Sequence, residues 1–207
     1  MIGIIDYGLG NPGSVANAFQ RLHIPTGICR EPAELRKFRS LILPGVGAFD
    51  AGMQKLADKG WLGPLNKAVL EQGKPFLGIC LGMQMLGTRS EEGSLPGLGW
   101  LDAVSCRIPS GDQPLEKPLR LPHMGWNEVQ ITRLNPVLAL DEPDHRFYFV
   151  HSYHLKCLHS ENAIGKTCYG IEFDSAVQRD HIFGTQFHPE KSHKYGLRLL
   201  ASFAKIE

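Results

Sequence analysis

The sequence predicts an α/β protein: an open, mostly parallel twisted sheet with helices on both faces and antiparallel strands added to it. Three observations carry this. Over the first eighty residues, short apolar runs alternate with segments whose apolar residues recur at helical spacing, the rhythm of β-α-β units. Glycine- and proline-rich turns separate the two kinds of segment. From Trp100 onward the strand-like runs continue with few helical segments between them, as in strands paired antiparallel.

Ile2 to Ile5 is the first apolar strand, and Gly8 to Gly13 is a glycine-rich turn. Ser14 can cap a helix whose apolar face is Val15, Ala18, Phe19 and Leu22. Thr26 to Cys29 reads as a second strand, Pro32 to Phe38 as a short helix, and Leu41 to Leu43 as a third strand ending at Pro44-Gly45-Val46-Gly47. Helices are expected near Gly52 to Lys59 and Leu65 to Gln72. A fourth strand then leads from Lys74 into Cys80. In the second half, Leu101–Ile108, Trp126–Ile131, Phe147–His154, Gly165–Tyr169 and Ile182–Phe187 read as strands, and Ser110 to Pro122 as a loop. A last helix, about His193 to Lys205, carries Tyr195, Leu199 or Leu200, and Phe203 on one face. No linker divides the chain, so residues 1–207 are read as one domain.

The segment Gly78-Ile79-Cys80-Leu81-Gly82 concentrates the chemistry. A nucleophile between a strand and a helix, with a glycine two places to either side, has the form of a nucleophile elbow. The glycines are needed because the turn is tight and neighbouring backbone passes close by. The helix N-terminus beneath the sulfur suits negative charge there. Such a nucleophile needs a base, and His188-Pro189-Glu190 supplies an imidazole with a carboxylate two residues on to orient it. Taken singly, Cys80 would pass for a small buried hydrophobe, His188 for a structural histidine and Glu190 for a loop charge. Together they form a Cys-His-Glu triad.

Composition removes other classes. The 207 residues carry a net charge of +1, 43% hydrophobic and 21% charged residues, an ordinary globular balance without a run of like charges for nucleic acid. No apolar run is long enough to span a bilayer, and the start Met1-Ile2-Gly3-Ile4-Ile5-Asp6 lacks the basic opening of a signal peptide. Five cysteines (29, 80, 106, 157, 168), odd in number and with no Cys-x-x-Cys, suit a reducing cytoplasm with free thiols. Gly8-Leu9-Gly10-Asn11-Pro12-Gly13 matches G-x-G-x-x-G, with Glu31 near the spacing of a ribose-binding acid. Pro12, however, removes a backbone donor, and Asp6 and Tyr7 separate the strand from the first glycine, so a turn near a protein partner is the better reading. His151 and His154, three apart on a strand, would face opposite ways; no metal site and no cofactor are expected.

These residues carry a resemblance. Ile4-Ile5-Asp6-Tyr7-Gly8-Leu9-Gly10-Asn11, Leu43-Pro44-Gly45-Val46-Gly47-Ala48-Phe49, Gly78 to Gln84, Pro122-His123-Met124-Gly125-Trp126-Asn127, Phe147 to Tyr153 and Gln186 to Ser192 are similar to segments of the class I, triad-type glutamine amidotransferases. The likeness covers nearly the whole chain. Within that family it is to the glutaminase subunits that serve imidazole glycerol phosphate synthesis in the histidine pathway. The resemblance implies a flavodoxin-like sheet and hydrolysis of L-glutamine to glutamate and ammonia by Cys80, His188 and Glu190. Chemistry asks for oxyanion donors, one from the Leu81 N–H; the resemblance puts a second at Val46. It also implies a glutamine pocket of Gly47, Gln84, Ser152 and Tyr153. The implied partner is a (β/α)8 cyclase subunit, docked as a heterodimer over Asn11, Met124, Trp126 and Lys191, which receives the ammonia and yields imidazole glycerol phosphate and aminoimidazole carboxamide ribotide. Two alternatives stay open. One is a paralogous glutaminase feeding another synthase, such as a surface-polysaccharide sugar amidotransferase, with which Asp50–Met53, Arg146-Phe147-Tyr148 and Ser192-His193-Lys194 are compatible. The other is a cysteine hydrolase of the same fold.

Overall fold

The computed structural model describes residues 1–109, 119–138 and 144–206. Its first half alternates strands and helices as expected: β1 (Ile2–Ile5), α1 (Pro12–Arg21), β2 (Thr26–Cys29), a 3-10 turn (Pro32–Lys37), β3 (Ser40–Gly45), α2 (Phe49–Asp58), α3 (Leu62–Asn66) continuing into a π-helical turn (Lys67–Glu71), β4 (Phe76–Cys80) and α4 (Leu81–Gln84). The cap of α1 is Asn11 rather than Ser14. The Asn11 Oδ1 accepts from the Ser14 N–H at 3.0 Å, and Pro12 takes the first helical position, where its missing donor costs nothing.

The second half holds β5 (Arg89–Ser90), β6 (Ala103–Arg107), β7 (His123–Glu128), β8 (Gln130–Ile131), β9 (Arg146–His151), β10 (Tyr153–Cys157), β11 (Ala163–Tyr169), β12 (Ile171–Arg179), β13 (Ile182–Thr185) and α5 (His193–Phe203). Two expected strands are each divided. Phe147–His154 breaks at Ser152, so that β9 joins β7 in a small antiparallel sheet while β10 joins the main one. Trp126–Ile131 breaks at Val129: the residues through Glu128 pair with β9 in the small sheet, while Gln130 and Ile131 pair with β11 in the main one. β12 is a strand the sequence reading missed, although Ile171, Phe173, Ser175 and Val177 alternate along it. It pairs antiparallel with β13, β10 and β11 and so joins the two halves of the sheet. Most of the expected Ser110–Pro122 loop lies outside the described residues.

Among the described residues the main sheet runs β2-β1-β3-β4-β13-β12-β10-β6-β5, with its first five strands parallel. β1, β3 and β4 are buried along their whole length, as strands covered on both faces must be. Val15 and Phe19 of α1 pack with Leu199, Leu200 and Phe203 of α5 on one face. Met53 and Leu56 of α2 pack with Leu65, Met85 and Trp100 on the other. β13 runs parallel to β4 in the register Thr185↔Ile79, so both chains leave the sheet at the same edge. In an open parallel sheet, that carboxyl edge is where loops can converge on a ligand.

Candidate active site

Cys80 ends β4 directly opposite Gly45, the last residue of β3. Its backbone takes φ 55° and ψ −108°, a left-handed conformation that strains any residue with a β-carbon. The helix that follows, Leu81–Gln84, is a single turn. The flanking glycines are required by space. A β-carbon on Gly78 would lie 2.5 Å from the Gly82 carbonyl oxygen, and one on Gly82 would lie 2.0 Å from the Leu43 carbonyl oxygen.

Beyond β13 the chain passes beside this turn. Gln186, fully buried, donates from Nε2 toward the Cys80 sulfur at 3.7 Å. His188 is held by its N–H on the Tyr148 carbonyl at 2.9 Å and by its own carbonyl, which accepts from the Ser192 hydroxyl. Its Nδ1 lies 2.8 Å from Glu190 Oε1, with the two side chains 3% and 4% exposed. A carboxylate accepts, so Nδ1 carries the proton of that bond. Nε2 is left buried, with no hydrogen-bond partner of its own, for the sulfur. Burial alone would lower the pKa of His188, but Cys80 and then Glu190 outweigh it and raise the imidazole to about 9. A raised value means stabilisation that is full below about pH 6.5 and is lost as pH climbs through about 9.

A second histidine group lies behind the site. His151 Nδ1 donates to the Tyr153 carbonyl at 2.8 Å, so its Nε2 must accept from His123 Nδ1 at 2.9 Å. His123 Nε2 in turn accepts from Asn127 at 3.2 Å. Every ring nitrogen is used in the neutral form. Burial pushes His123 down to about 4 and His151 to about 3. A histidine NMR titration should therefore sort the three rings: His188 titrating near 9, and His123 and His151 silent above about pH 5. In Glu190→Gln the His188 midpoint should fall, because one of the two groups opposing desolvation is gone while Cys80 remains. A His188 midpoint near 6.5 in the unaltered protein would contradict the buried pair.

A cavity of about 370 Å³ opens over the sulfur. It brings together Cys80, His188, Val46, Leu81, Gly47, Gln84, Ser152 and Tyr153, all expected from the sequence. Val46 stands between two glycines with different reasons. At Gly45 a β-carbon would sit 2.8 Å from the Tyr7 hydroxyl and 2.9 Å from the Gly82 nitrogen; Gly47 has open space but a φ of +99°. Gln84 is 5% exposed, and its amide donates to the Tyr153 carbonyl (2.9 Å) and Gln186 Oε1 (3.1 Å), leaving its own oxygen as the polar atom still to be used. Sequence reasoning missed Glu92, whose carboxylate reaches the cavity wall and accepts from the Phe49 N–H at 2.8 Å. Asp50 fixes the segment just beyond it by accepting from the N–H groups of Ser94 and Leu95, which hold its own pKa below the ordinary value. Nothing in the spacing of Glu92 announced it.

The four residues expected at a partner face are exposed. Asn11 caps α1. Met124 and Trp126 share the outward face of β7 at 62% and 42% exposure, so Trp126 is no core residue. Its indole stacks on His193 at 5.4 Å, and Lys191 lies 5.9 Å over the ring of Tyr148, the cross-strand neighbour of Trp126. His151 and His154, expected on opposite faces of one strand, lie on two different strands instead. No group of three metal-ligating side chains occurs among the described residues.

Comparison with known proteins agrees with this geometry. The family described as glutamine amidotransferase class-I matches residues 4–205. The chain is 45% identical over 205 residues to "Imidazole glycerol phosphate synthase subunit HisH 2" of Methanococcus maripaludis, covering 99% of each. It is 45% identical over 206 residues to the protein of the same name in Pseudomonas aeruginosa, covering 100% of each. Among solved structures, a glutamine amidotransferase superposes with a TM-score of 0.72 at 20% identity, over 99% of both chains. PurLQS from Thermotoga maritima superposes with a TM-score of 0.75 at 17% identity, over 98% of this chain and 96% of that one. At such identities the two structures speak to the fold alone.

Proposed function

The chain belongs to the class-I glutamine amidotransferase family, and from that premise we propose that it is the glutaminase subunit of an imidazole glycerol phosphate synthase, releasing ammonia from L-glutamine for histidine biosynthesis. The observation that supports this most is a thiol on a left-handed elbow that lines one cavity of about 370 Å³ together with His188, whose imidazole is held in a buried pair with Glu190.

In this reading the Cys80 sulfur attacks the side-chain amide carbon of glutamine, and the proton it sheds rests on His188 Nε2. The negative oxygen meets the N–H groups of Leu81 and Val46; in well-studied hydrolases one such donor is worth about 3 kcal/mol. His188 returns its proton to the amide nitrogen, the C–N bond breaks, and ammonia leaves a glutamyl thioester. Water, giving a proton to the same imidazole, cleaves the thioester to glutamate and restores the thiol. Glu190 holds the imidazole by Nδ1 and balances its charge throughout. Glu92 brings the carboxylate that the α-ammonium of glutamine requires, and Gly47, Gln84, Ser152 and Tyr153 enclose the rest.

Ammonia set free in water protonates, so a receiving enzyme must dock over the site. We assign that role to a (β/α)8 cyclase subunit seated on Asn11, Met124, Trp126 and Lys191, in a cytoplasmic heterodimer. Exposed Met and Trp side chains suit the centre of such an interface. Residues 1–207 act in it as one glutaminase domain. Glutamate release from glutamine tests the reading, first for the isolated chain, then with a histidine-pathway cyclase and its ribonucleotide ligand. A strong rise with both is the expected result. The competing outcome is the alternative that the sequence left open, a paralogous glutaminase serving another synthase. Turnover indifferent to the histidine cyclase would select it.

A further inference from the structure

Tyr7 lies just beyond β1 and is completely buried. Its hydroxyl has no hydrogen-bond partner, although a buried phenol normally finds one. A phenylalanine would fill the same space without leaving a donor unpaired. The hydroxyl sits under the meeting point of the Gly45–Val46–Gly47 loop and the start of α4: a β-carbon built on Gly45 comes within 2.8 Å of it and within 2.9 Å of the Gly82 nitrogen and the Leu81 β-carbon. Burial, and after it the nearby Cys80 sulfur, push the phenol far above its ordinary pKa, so it keeps its proton and can only gain from an acceptor.

We propose that Tyr7 is a positioning residue for the oxyanion loop, its hydroxyl receiving the Gly45 carbonyl in the arrangement that turns the Val46 N–H to the substrate. A planar trans peptide holds its C=O and N–H on opposite sides. Aiming the Val46 N–H at the cavity therefore drives the Gly45 carbonyl away from it, toward the core. The unpaired phenol waits there, beside Gly45. That rotation falls on the ψ of Gly45 and the φ of Val46, and Gly45, where a side chain has no room, has the backbone freedom to take it. The donor left idle in the free chain is then satisfied only in the working arrangement, which biases the loop toward it. This rests on the reading of Val46 as an oxyanion donor given above.

Tyr7→Phe tests it, alone and combined with Val46→Pro, which deletes the loop's N–H. The expected result for Tyr7→Phe is a melting temperature no lower than that of the unaltered chain. Its kcat for glutamine should fall about ten-fold, the factor one neutral hydrogen bond supplies, with KM unchanged. Alkylation of Cys80 by iodoacetamide, which forms an S–C bond and expels iodide without an oxyanion, should proceed at the same rate. In the Val46→Pro background Tyr7→Phe should cost nothing further. An unchanged kcat, a parallel loss of alkylation rate, or an undiminished Tyr7→Phe effect beside Val46→Pro would each overturn the role of Tyr7. Full activity in Val46→Pro alone would instead overturn the oxyanion reading beneath it.

Discussion

Replacing Cys80 by alanine should lower glutamine hydrolysis by about 10⁴-fold or more, the scale on which covalent hydrolases lose activity with their nucleophile. The fold should survive, because the side chain removed is small. The left-handed backbone at this position gives a sharper form of the test. At φ 55° a β-carbon is strained by an amount on the order of 1 kcal/mol or more, and glycine escapes that strain. Cys80→Gly should therefore be at least as stable as Cys80→Ala while equally inactive. Thermal unfolding of the two variants beside a glutamate-release assay checks both statements. Substantial turnover by either would require another nucleophile. A Cys80→Gly protein clearly less stable than Cys80→Ala would mean that the elbow stores no strain.

Gly82→Ala should be among the most damaging small substitutions at the active site. The added carbon would lie 2.0 Å from the Leu43 carbonyl oxygen, a main-chain atom in the middle of β3. Neither side can yield without separating α4 from the sheet, so a loss of about 3 kcal/mol or more is expected, together with activity. Gly78→Ala should follow closely, with its carbon 2.5 Å from the Gly82 carbonyl oxygen. Denaturant unfolding measures the loss. A Gly82→Ala protein of ordinary stability would show that α4 and β3 are not in tight contact at the elbow. Gly47→Ala is the natural contrast: no atom lies within 4 Å of the added carbon, and its only penalty is the φ of +99°.

Much of this was legible along the chain because it is local. The apolar runs at Ile2–Ile5, Leu41–Leu43 and Phe76–Ile79 are strands buried on both faces, and burial on both faces leaves no alternation to obscure them. The helical spacing of Val15, Ala18 and Phe19 survives as the buried face of α1. The antiparallel half was read less well, because its strands are half polar and their boundaries are set by partners. β12 carries Glu172, Asp174 and Gln178 between its buried residues, and it is a strand because three neighbours claim its backbone. Ser152 breaks a run of strand formers because its two ends belong to different sheets.

The sheet's parallel half, the elbow at Cys80 and the pairing of His188 with Glu190 are legible from neighbouring residues, since each depends on positions a few apart: glycine two places to either side of a thiol, a carboxylate two places after an imidazole. What those groups meet depends on the folded arrangement of distant strands. It brought Gln186 onto the Cys80 sulfur, carried Glu92 to the cavity wall, placed the Gln84 amide on the Tyr153 carbonyl and left the Tyr7 hydroxyl unpaired beneath Gly45. These contacts join residues up to about a hundred positions apart, and pairings at that distance follow from strand order and register. Local geometry is written in steric preference, whereas a buried polar atom takes whichever partner the packing of distant strands delivers to it.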